Sequence, residues 1–278
     1  MHPPDLGDGR FRIERAIGDG AMATVWRAID TASGEPVAIK VLRSEEADLE
    51  DIQRLAQEAE ILQRLNHPCI VRVVGRGVTR EGAPFVVMEW VDGIDLRTKL
   101  DRTSRLPPAD VRDIIGQVCS ALADAHEHGV VHRDVKPENV LLVAPEHVAV
   151  KVVDFGMAKV LTPDAAQLTI DNKIFGTPQY MSPERARGKP VGAASDVYGV
   201  AVMTYEMLTG RRPFDAPSPV VVLTQHLKSP PPPMSGVDAE LERTVLMGLA
   251  KNPAERPTAR EFARLLGRAM ASTKEHPA

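Results

Sequence analysis

Cysteine is scarce in this 278-residue chain, which contains only Cys69 and Cys119. Neither residue belongs to a Cys-x-x-Cys pair or to another spacing that is typical of metal ligands. Two isolated thiols exclude a disulfide scaffold and a cysteine-bound zinc module. They indicate a reducing, intracellular compartment.

Long apolar runs and a large excess of charge of one sign are also lacking. The most apolar helix-like run, residues 197–205, is far shorter than the ~20 residues of a membrane span. Residues 1–10 show no basic start and no apolar core of a secretory signal. The net charge of −4 predicts no strong attraction to nucleic acid or anionic lipid. We therefore expect a cytoplasmic location, with no nucleic-acid partner and no membrane contact for these residues. The cytoplasmic domain of a longer membrane-anchored protein fits the same pattern.

The predicted secondary structure changes near residue 91. Before that point, alternating β-branched and apolar residues predict strands, and one amphipathic helix is expected at 49–65. After it, a helix that opens at the proline pair 107–108 is followed by several more. The predicted strands are 24–30, 36–42, 69–78 and 83–91, and the predicted later helices are 195–208, 220–227, 239–249 and 259–270.

This change in pattern predicts an α+β fold with two lobes. We expect a small β-rich lobe with one helix at 11–91 and a larger, mainly α-helical lobe at 92–267. Flexible termini are expected at 1–10 and 268–278. The junction between two such lobes is a natural place for a ligand cleft.

The stretch "IGDGAMATVW" (residues 17–26) nearly matches the phosphate-binding pattern Gly-x-Gly-x-x-Gly-x-Val. Gly18 and Gly20 allow the backbone to approach a phosphate without a Cβ in the way, whereas Ala23 replaces the third glycine. Because "TVWRAID" alternates like a strand, we expect the loop to cap a β-hairpin. A nicotinamide-dependent dehydrogenase would instead place such a loop between a strand and a helix. Taken alone, the loop is also compatible with a plain β-turn.

Lys40 ends the strand-like sequence "VAIK", where an ammonium group can neutralise phosphate charge, although most lysines are simply solvated. Glu58 shares a predicted helix face with Leu55 and Leu62, whereas Glu60 lies on the polar face. A carboxylate on an apolar face needs a cation partner. We therefore predict that Lys40 pairs with Glu58.

The segment "VVHRDVKPENVLL" (residues 130–142) places Asp134, Lys136 and Asn139 in a predicted loop, since its proline cannot continue a regular helix. A carboxylate there can accept a hydroxyl proton, and an amide oxygen can bind a metal. Asp154 ends the short apolar strand of "KVVDFG" and offers a second oxygen. Mg²⁺ prefers oxygen ligands and takes few of them from the protein when phosphates are present. Asn139 and Asp154 are therefore the predicted metal ligands.

The glycine loop is followed in order by "VAIK", "HRDVKPEN", "DFG" and "SPE". With these motifs, about residues 11–266 resemble the eukaryotic-type (Hanks-type) protein kinase family. The aromatic content of 4% and the sequence "LAKNPAERPTA" are more similar to the bacterial Ser/Thr kinases of this family than to animal ones. The resemblance implies the bilobal protein-kinase-like fold, ATP as donor, Mg²⁺ with Mn²⁺ as an alternative, and protein substrates. It leaves open a homodimer through the small lobe.

The resemblance also implies a role for each matched polar residue. Asp134 would orient and deprotonate the acceptor hydroxyl, and Lys136 would neutralise the transferring phosphoryl group. Lys40, set by Glu58, would bind the α- and β-phosphates. Met88 would guard the back of the adenine pocket. The implied nucleotide-binding residues are Ile17, Gly18, Asp19, Gly20, Val25, Ala38, Lys40, Met88, Glu89, Val91 and Leu141.

Two features indicate the substrate class and a switch. Lys136 and the segment "GTPQYMSPE" match the Ser/Thr-specific members of the family rather than the tyrosine-specific ones. Between Asp154 and Phe175, the only hydroxyl residues are Thr162 and Thr169. We predict that phosphate on Thr169, added by the chain itself, orders this segment through Arg133. The alternative is that Thr169 is an ordinary exposed loop residue.

Two functions other than that of a working protein kinase share some of these sequence features. Ala23 favours a nucleotide-binding pseudokinase that acts as a regulatory module, but the charged and metal-binding residues that such proteins usually lose are all present. A small-molecule phosphotransferase shares the Asp and Asn chemistry. It lacks a segment like "GTPQYMSPE" and the buried Glu184–Arg256 ion pair that the resemblance implies.

His132 has a structural and a metal-binding interpretation. With His126 and His128 it would be a candidate metal ligand, but a packed core histidine beside Phe155, as in the family, is favoured. Asp196 has two compatible interpretations, namely a helix N-cap and, from the resemblance, an anchor for the backbone of the catalytic loop.

Overall fold

The computed structural model describes residues 2–7, 9–20, 23–43, 62–63, 65–143, 149–155, 169–170, 173–174 and 177–272. They belong to two compact units. The first unit is Met1–Asn66 with Ile70–Asp92, and the second is His67–Cys69 with Gly93–Ala278. Most of the predicted helix at 49–65, including Glu58, lies outside the described residues. The lobes 11–91 and 92–267 remain our proposed domain boundaries.

The first unit contains a five-stranded sheet in which all neighbouring strands are antiparallel and the order is β1-β2-β3-β5-β4. Strands β2, β3 and β5 confirm the predicted strands at 24–30, 36–42 and 83–91. The predicted strand at 69–78 was too long, because Cys69 O accepts a hydrogen bond from Val152 N and pairing along the sheet begins at Val73. The strands are β1 (Phe11–Asp19), β2 (Ala23–Asp30), β3 (Pro36–Leu42), β4 (Val73–Val78) and β5 (Pro84–Glu89).

The core of the first unit lies on one face of this sheet. Every second residue of β2 and β3 is buried, as period-two alternation of apolar residues predicts. Leu6 is only 8% exposed and packs in the same cluster, so the predicted flexibility of residues 1–10 does not describe this position. The buried cluster is Leu6, Trp26, Ala28, Val37, Ile39, Val41, Phe85 and Val87.

The second unit is mainly helical. The short apolar strand predicted before Asp154 is β8, and it belongs to a small sheet, β6-β7-β8, whose pairing was not predicted because its strands are only two or three residues long. The short strands are β6 (Ile94–Asp95), β7 (Val140–Leu142), β8 (Val150–Val152), β9 (Thr169–Ile170) and β10 (Lys173–Ile174). The helices are α1 (Leu96–Thr103), α2 (Pro108–Glu127), α3 (Pro183–Ala186), α4 (Ala193–Thr209), α5 (Pro219–Lys228), α6 (Ala239–Gly248) and α7 (Ala259–Ser272).

Helix α4 forms the centre of the second unit. Its residues from Ser195 to Leu208 are all buried, and helices α2, α6 and α7 pack against it. This confirms that the apolar run at 197–205 belongs to a core helix. In the part of the chain that the structure describes, no helix has both the length and the apolar character needed to cross a membrane.

The last helix differs from the prediction at its end. Helix α7 continues to Ser272, two residues beyond the predicted end at 270, and its residues Ala269 and Met270 are buried. Residues 268–272 of the proposed flexible terminus at 268–278 therefore lie in this helix. Residues 273–278 lie outside the described part of the chain.

His226 is a fully buried titratable group in α5. Its Nε2 donates to Gln179 O at 3.1 Å, so in the neutral ring its Nδ1 accepts a hydrogen bond from Tyr198 Oη at 2.8 Å. Burial, followed by the nearby positive charge of Lys251, lowers the pKa of His226 to about 4.

This low pKa predicts a loss of stability in weak acid. Below about pH 6.5 the unfolded chain binds a proton at His226 that the folded chain does not, so folding is progressively disfavoured down to about pH 4. The full contribution is roughly 3 kcal/mol. Urea unfolding between pH 7.5 and pH 5 should therefore show a steeper loss for the natural chain than for His226→Gln. Equal slopes for both proteins would contradict this prediction.

Candidate active site

The glycine loop joins two antiparallel strands. Gly18 pairs with Val25 and Asp19 with Thr24, and Gly20 N donates to Ala23 O at 2.9 Å. The predicted hairpin is therefore confirmed, and the strand–loop–helix arrangement of a dinucleotide-binding fold is excluded. Ala23, at the position of the third glycine, is buried in β2.

One face of the sheet in the first unit carries several of the residues predicted to contact nucleotide, namely Val25, Ala38, Lys40 and Met88. Val25 lies opposite both Gly18 and Lys40, and Ala38 lies opposite Met88. Directly opposite residues on antiparallel strands point to the same face. This face is the reverse of the one that carries the buried cluster. The remaining residues of the predicted set in this unit are Ile17 on β1, Asp19 and Gly20 at the turn, Glu89 at the end of β5, and Val91 just after it.

Asp196 anchors the backbone of the predicted catalytic loop, which is the loop in the segment 130–142 that carries Asp134. Its Oδ2 accepts from His132 N at 2.9 Å, and its Oδ1 accepts from Arg133 N at 2.8 Å. His126 Nε2 lies 2.7 Å from the same Oδ2. This confirms the anchoring interpretation. The N-cap interpretation was wrong, because α4 begins at Ala193 with Gly192 as its N-cap.

Asp134 lies at the end of this anchored loop, among positive and polar groups. Lys136 Nζ is 2.6 Å from its Oδ2, and Asn139 Nδ2 donates to its backbone oxygen at 2.7 Å. Burial tends to raise the pKa of Asp134, but the charges of Lys136 and Arg185 outweigh that effect and lower it. The carboxylate is therefore ionised at neutral pH, as a proton acceptor must be.

The structure brings Asp154 next to the catalytic loop. Val153 N donates to Asn139 O at 3.0 Å, and His132 Nε2 bonds to Val153 O at 2.9 Å, so the residue before Asp154 is held from both sides. Asp154 has a φ of 65°, a left-handed value that is rare outside glycine and that often marks functional sites. Leu141, the remaining nucleotide-binding candidate, follows in β7.

The three histidines do not form a metal site. The His132 ring is fully buried with its centroid 4.6 Å from that of Phe155, which confirms the core interpretation. His126 bonds to Asp196, and His128 Nδ1 bonds to a backbone oxygen. Within the described ranges, no three His, Cys, Asp or Glu side chains converge in a way that could hold a metal ion.

The segment that follows Thr177 is tied to the helical core by an ion pair. Glu184 receives two hydrogen bonds from Arg256, at 2.7 and 2.8 Å, and a third from the Ser195 hydroxyl. Burial disfavours the charged form of Glu184, but the bonds from Arg256 and Ser195 outweigh it, and the pKa is lowered. The predicted ion pair is confirmed. Lys136 Nζ, which contacts Asp134, also lies 3.4 Å from Thr177 Oγ1 and so links this segment to the Asp134 loop.

Two parts of the site were not predicted from the sequence. Arg185 Nη1 lies 3.6 Å from Asp134 Oδ1. Glu206 accepts hydrogen bonds from Arg97 at 2.8 Å and from the Tyr180 hydroxyl. Residues so far apart in the chain give no local spacing signal. Only the position of Arg185, directly after "SPE", could have drawn attention to it.

Comparison with known proteins agrees with this geometry. The family model described as protein kinase domain matches residues 11–265, so the chain belongs to the protein kinase family. The crystal structure of the Mycobacterium tuberculosis PknI kinase domain has a TM-score of 0.76 and 28% sequence identity, and the match covers 97% of this chain and all of that one. The α+β fold with a five-stranded small lobe and a helical large lobe is thus the protein kinase fold.

The more similar relatives belong to the serine/threonine class. Serine/threonine-protein kinase pkn3 of Myxococcus xanthus is 42% identical over 264 residues, which cover 91% of this chain and 48% of that protein. Serine/threonine-protein kinase PknB of Mycobacterium leprae is 41% identical over 262 residues, which cover 91% and 42%. The bacterial serine/threonine resemblance is confirmed, and the pseudokinase alternative is not favoured. The chain spans less than half the length of these relatives.

Proposed function

We propose that this chain is the catalytic domain of a serine/threonine protein kinase, which transfers the γ-phosphoryl group of Mg-ATP to serine and threonine hydroxyls of proteins. The observation that carries the proposal is the ionised carboxylate of Asp134, held by Lys136 at 2.6 Å beside Asn139. A proton acceptor, a cation and an oxygen ligand within one loop are the parts that phosphoryl transfer needs.

Asp134 performs the proton transfer in this proposal. The substrate hydroxyl donates its hydrogen bond to the carboxylate, and its oxygen forms a bond to the γ-phosphorus as the bond to the leaving diphosphate breaks. Asp134 takes the hydroxyl proton. Lys136 stabilises the negative charge on the transferring group. Its contact with Thr177 supports the proposal, because it links Lys136 to the segment "GTPQYMSPE", which matches the Ser/Thr-specific pattern.

The oxygen atoms of Asn139 and Asp154 are suited as ligands of a hard divalent cation. Asn139 Nδ2 donates a hydrogen bond to Asp134 O, so the amide oxygen of Asn139 is the atom that would bind a metal. Asp154 would supply a carboxylate directly after Val153, whose backbone N–H is bonded to the same loop. Asn139 and Asp154 would therefore hold Mg²⁺, with Mn²⁺ as an alternative. The bound metal would neutralise phosphate charge.

The glycine loop and its sheet face would hold the nucleotide. Neither Gly18 nor Gly20 has a left-handed φ, and a Cβ at Gly18 would meet Val25 only at an ordinary 3.8 Å. The hairpin itself therefore does not require glycine there, which supports a requirement imposed by close approach to phosphate. Lys40, positioned by Glu58, would bind the α- and β-phosphates. Glu89 and Val91 would meet the adenine edge with backbone groups.

The test is incubation of the purified chain with γ-labelled ATP, Mg²⁺ and a generic basic protein, followed by analysis of the labelled amino acids. We expect label on serine and threonine and its loss when EDTA removes the metal. Mn²⁺ in place of Mg²⁺ should restore part of the transfer. Label on tyrosine alone, or no transfer with either metal, would refute the proposal.

Label on the chain itself should concentrate on Thr169. Phosphate there adds a charge of about −1.5 to −2, which we expect Arg133 to bind and so order the segment. Thr169→Ala should therefore lower the transfer rate by roughly 10-fold or more, whereas Thr162→Ala should have little effect. Peptide mapping of the autophosphorylated chain provides the check. Equal transfer rates for Thr169→Ala and the natural chain would contradict the prediction that phosphate on Thr169 acts as a switch.

The partners in this proposal are ATP and protein substrates, in the cytoplasm, where ATP is supplied. The chain could act there alone or as the cytoplasmic part of a longer, membrane-anchored protein. A homodimer through the small lobe is kept as a further hypothesis. Sedimentation of the purified chain at several concentrations would test it.

A further inference from the structure

Arg185 reaches from helix α3 into the catalytic loop. Its Nη1 donates a hydrogen bond to the backbone oxygen of Arg133 and lies 3.6 Å from Asp134 Oδ1. The side chain is only 19% exposed. Its own backbone is fixed, since Arg185 N is capped by Ser182 Oγ and the preceding Glu184 forms the buried ion pair.

The peptide that Arg185 contacts is strained. Arg133 has a φ of 70°, a left-handed value that costs of order 1 kcal/mol or more for a non-glycine residue and persists only when its surroundings hold it. Asp196 holds the N–H of Arg133, and Arg185 holds its C=O. The residue directly before the base is thus fixed on both sides.

The carboxylate of Asp134 is also contacted at both oxygens. Lys136 lies at Oδ2, at 2.6 Å, and Arg185 approaches Oδ1. Two cations on opposite oxygens restrict rotation of the carboxyl group. Both contacts of Arg185 are made by Nη1, whose N–H directions are fixed by the planar guanidinium, whereas an ammonium group is a single point charge.

We propose that Arg185 is a positioning residue for phosphoryl transfer: it couples the Pro183–Ala186 helix to the strained Arg133 peptide and sets the orientation of the Asp134 carboxylate. This inference rests on the proposed kinase function and adds a residue that acts through the base. It also gives the segment after Thr177 a direct mechanical link to the catalytic loop.

The experiment compares Arg185→Met, Arg185→Lys and the matched control Arg187→Met. Arg187 lies two residues further on and is exposed, and its guanidinium donates a hydrogen bond to Leu227 O at 3.5 Å. Three properties are measured for each protein: kcat and KM with ATP and a peptide, the melting temperature, and hydrogen exchange of the amides at 130–136. The natural chain is measured beside them.

We expect Arg185→Met to lower kcat by roughly 10- to 100-fold, since small displacements of a catalytic group have effects of this size. KM for ATP should stay within about threefold, because nucleotide contacts are made elsewhere. Exchange at 130–136 should become faster, Arg185→Lys should recover part of kcat, and Arg187→Met should resemble the natural chain.

An unchanged or increased kcat for Arg185→Met would overturn the inference, and so would a loss fully explained by a smaller folded fraction. Unaltered hydrogen exchange of the amides at 130–136 in Arg185→Met would also overturn the inference. These outcomes differ from failure of the proposed function, in which the natural chain itself transfers no phosphate. The exchange measurement needs no activity and tests the link in either case.

Discussion

Replacing Asp134 by Asn should lower kcat for phosphoryl transfer by roughly 10²- to 10⁴-fold, the usual contribution of a general base. The amide has nearly the shape of the carboxylate but cannot take the hydroxyl proton. It also loses the attraction to Lys136, which lies 2.6 Å from Oδ2 in the structure. Positioning by the rest of the site remains, so we expect a small residual rate rather than none.

The loss must be separated from unfolding and from loss of nucleotide binding. Helix α2 offers a matched control in Asp113, an exposed carboxylate paired with Arg112 at 2.8 Å, and Asp113→Asn should leave kcat unchanged. Titration calorimetry should show that Asp134→Asn still binds Mg-ATP. Transfer by Asp134→Asn at the natural rate would mean that another group is the base or that a contaminating enzyme is responsible.

Replacing Arg256 by Met should lower the free energy of unfolding by roughly 3–5 kcal/mol, the typical cost of leaving one member of a buried ion pair alone. The Arg256 side chain is 0% exposed and that of Glu184 is 7% exposed. Removing the guanidinium leaves a carboxylate away from water with only the Ser195 hydroxyl as a side-chain donor. Loss of order in α3 should follow.

The exposed pair between Arg260 and Glu127 provides the comparison within the same unit. It has a similar distance of 2.6 Å, but its side chains are 73% and 61% exposed. Arg260→Met should therefore cost at most about 1 kcal/mol. The double variant Glu184→Gln with Arg256→Met should be more stable than Arg256→Met alone, because no uncompensated charge is then buried. Urea unfolding of the four proteins measures these differences. Similar losses in the free energy of unfolding for Arg256→Met and Arg260→Met would contradict this prediction.

The local elements were predictable because they depend on residues that are near each other in the chain. Alternation along β2 and β3, the prolines at the start of α2 and the apolar length of α4 each mark an element within a short window. The predicted ends of two elements differ from those in the structure. Cys69 O accepts a hydrogen bond from Val152 N instead of pairing along the sheet, which shortened one predicted strand, and α7 extends two residues beyond its predicted end.

The candidate site divides in the same way. The sequence by itself determined which residues we propose for the chemistry, because the glycine loop, Lys40, Asp134, Asn139 and Asp154 fall in ordered motifs whose spacing is specific. The tertiary structure alone decided how the carboxylate of Asp134, the proposed base, is held. Arg185 and Asp196 lie 51 and 62 positions beyond Asp134, yet both reach its loop. The physical reason is that such contacts depend on how α3 and α4 pack, and packing leaves no period or spacing in the chain.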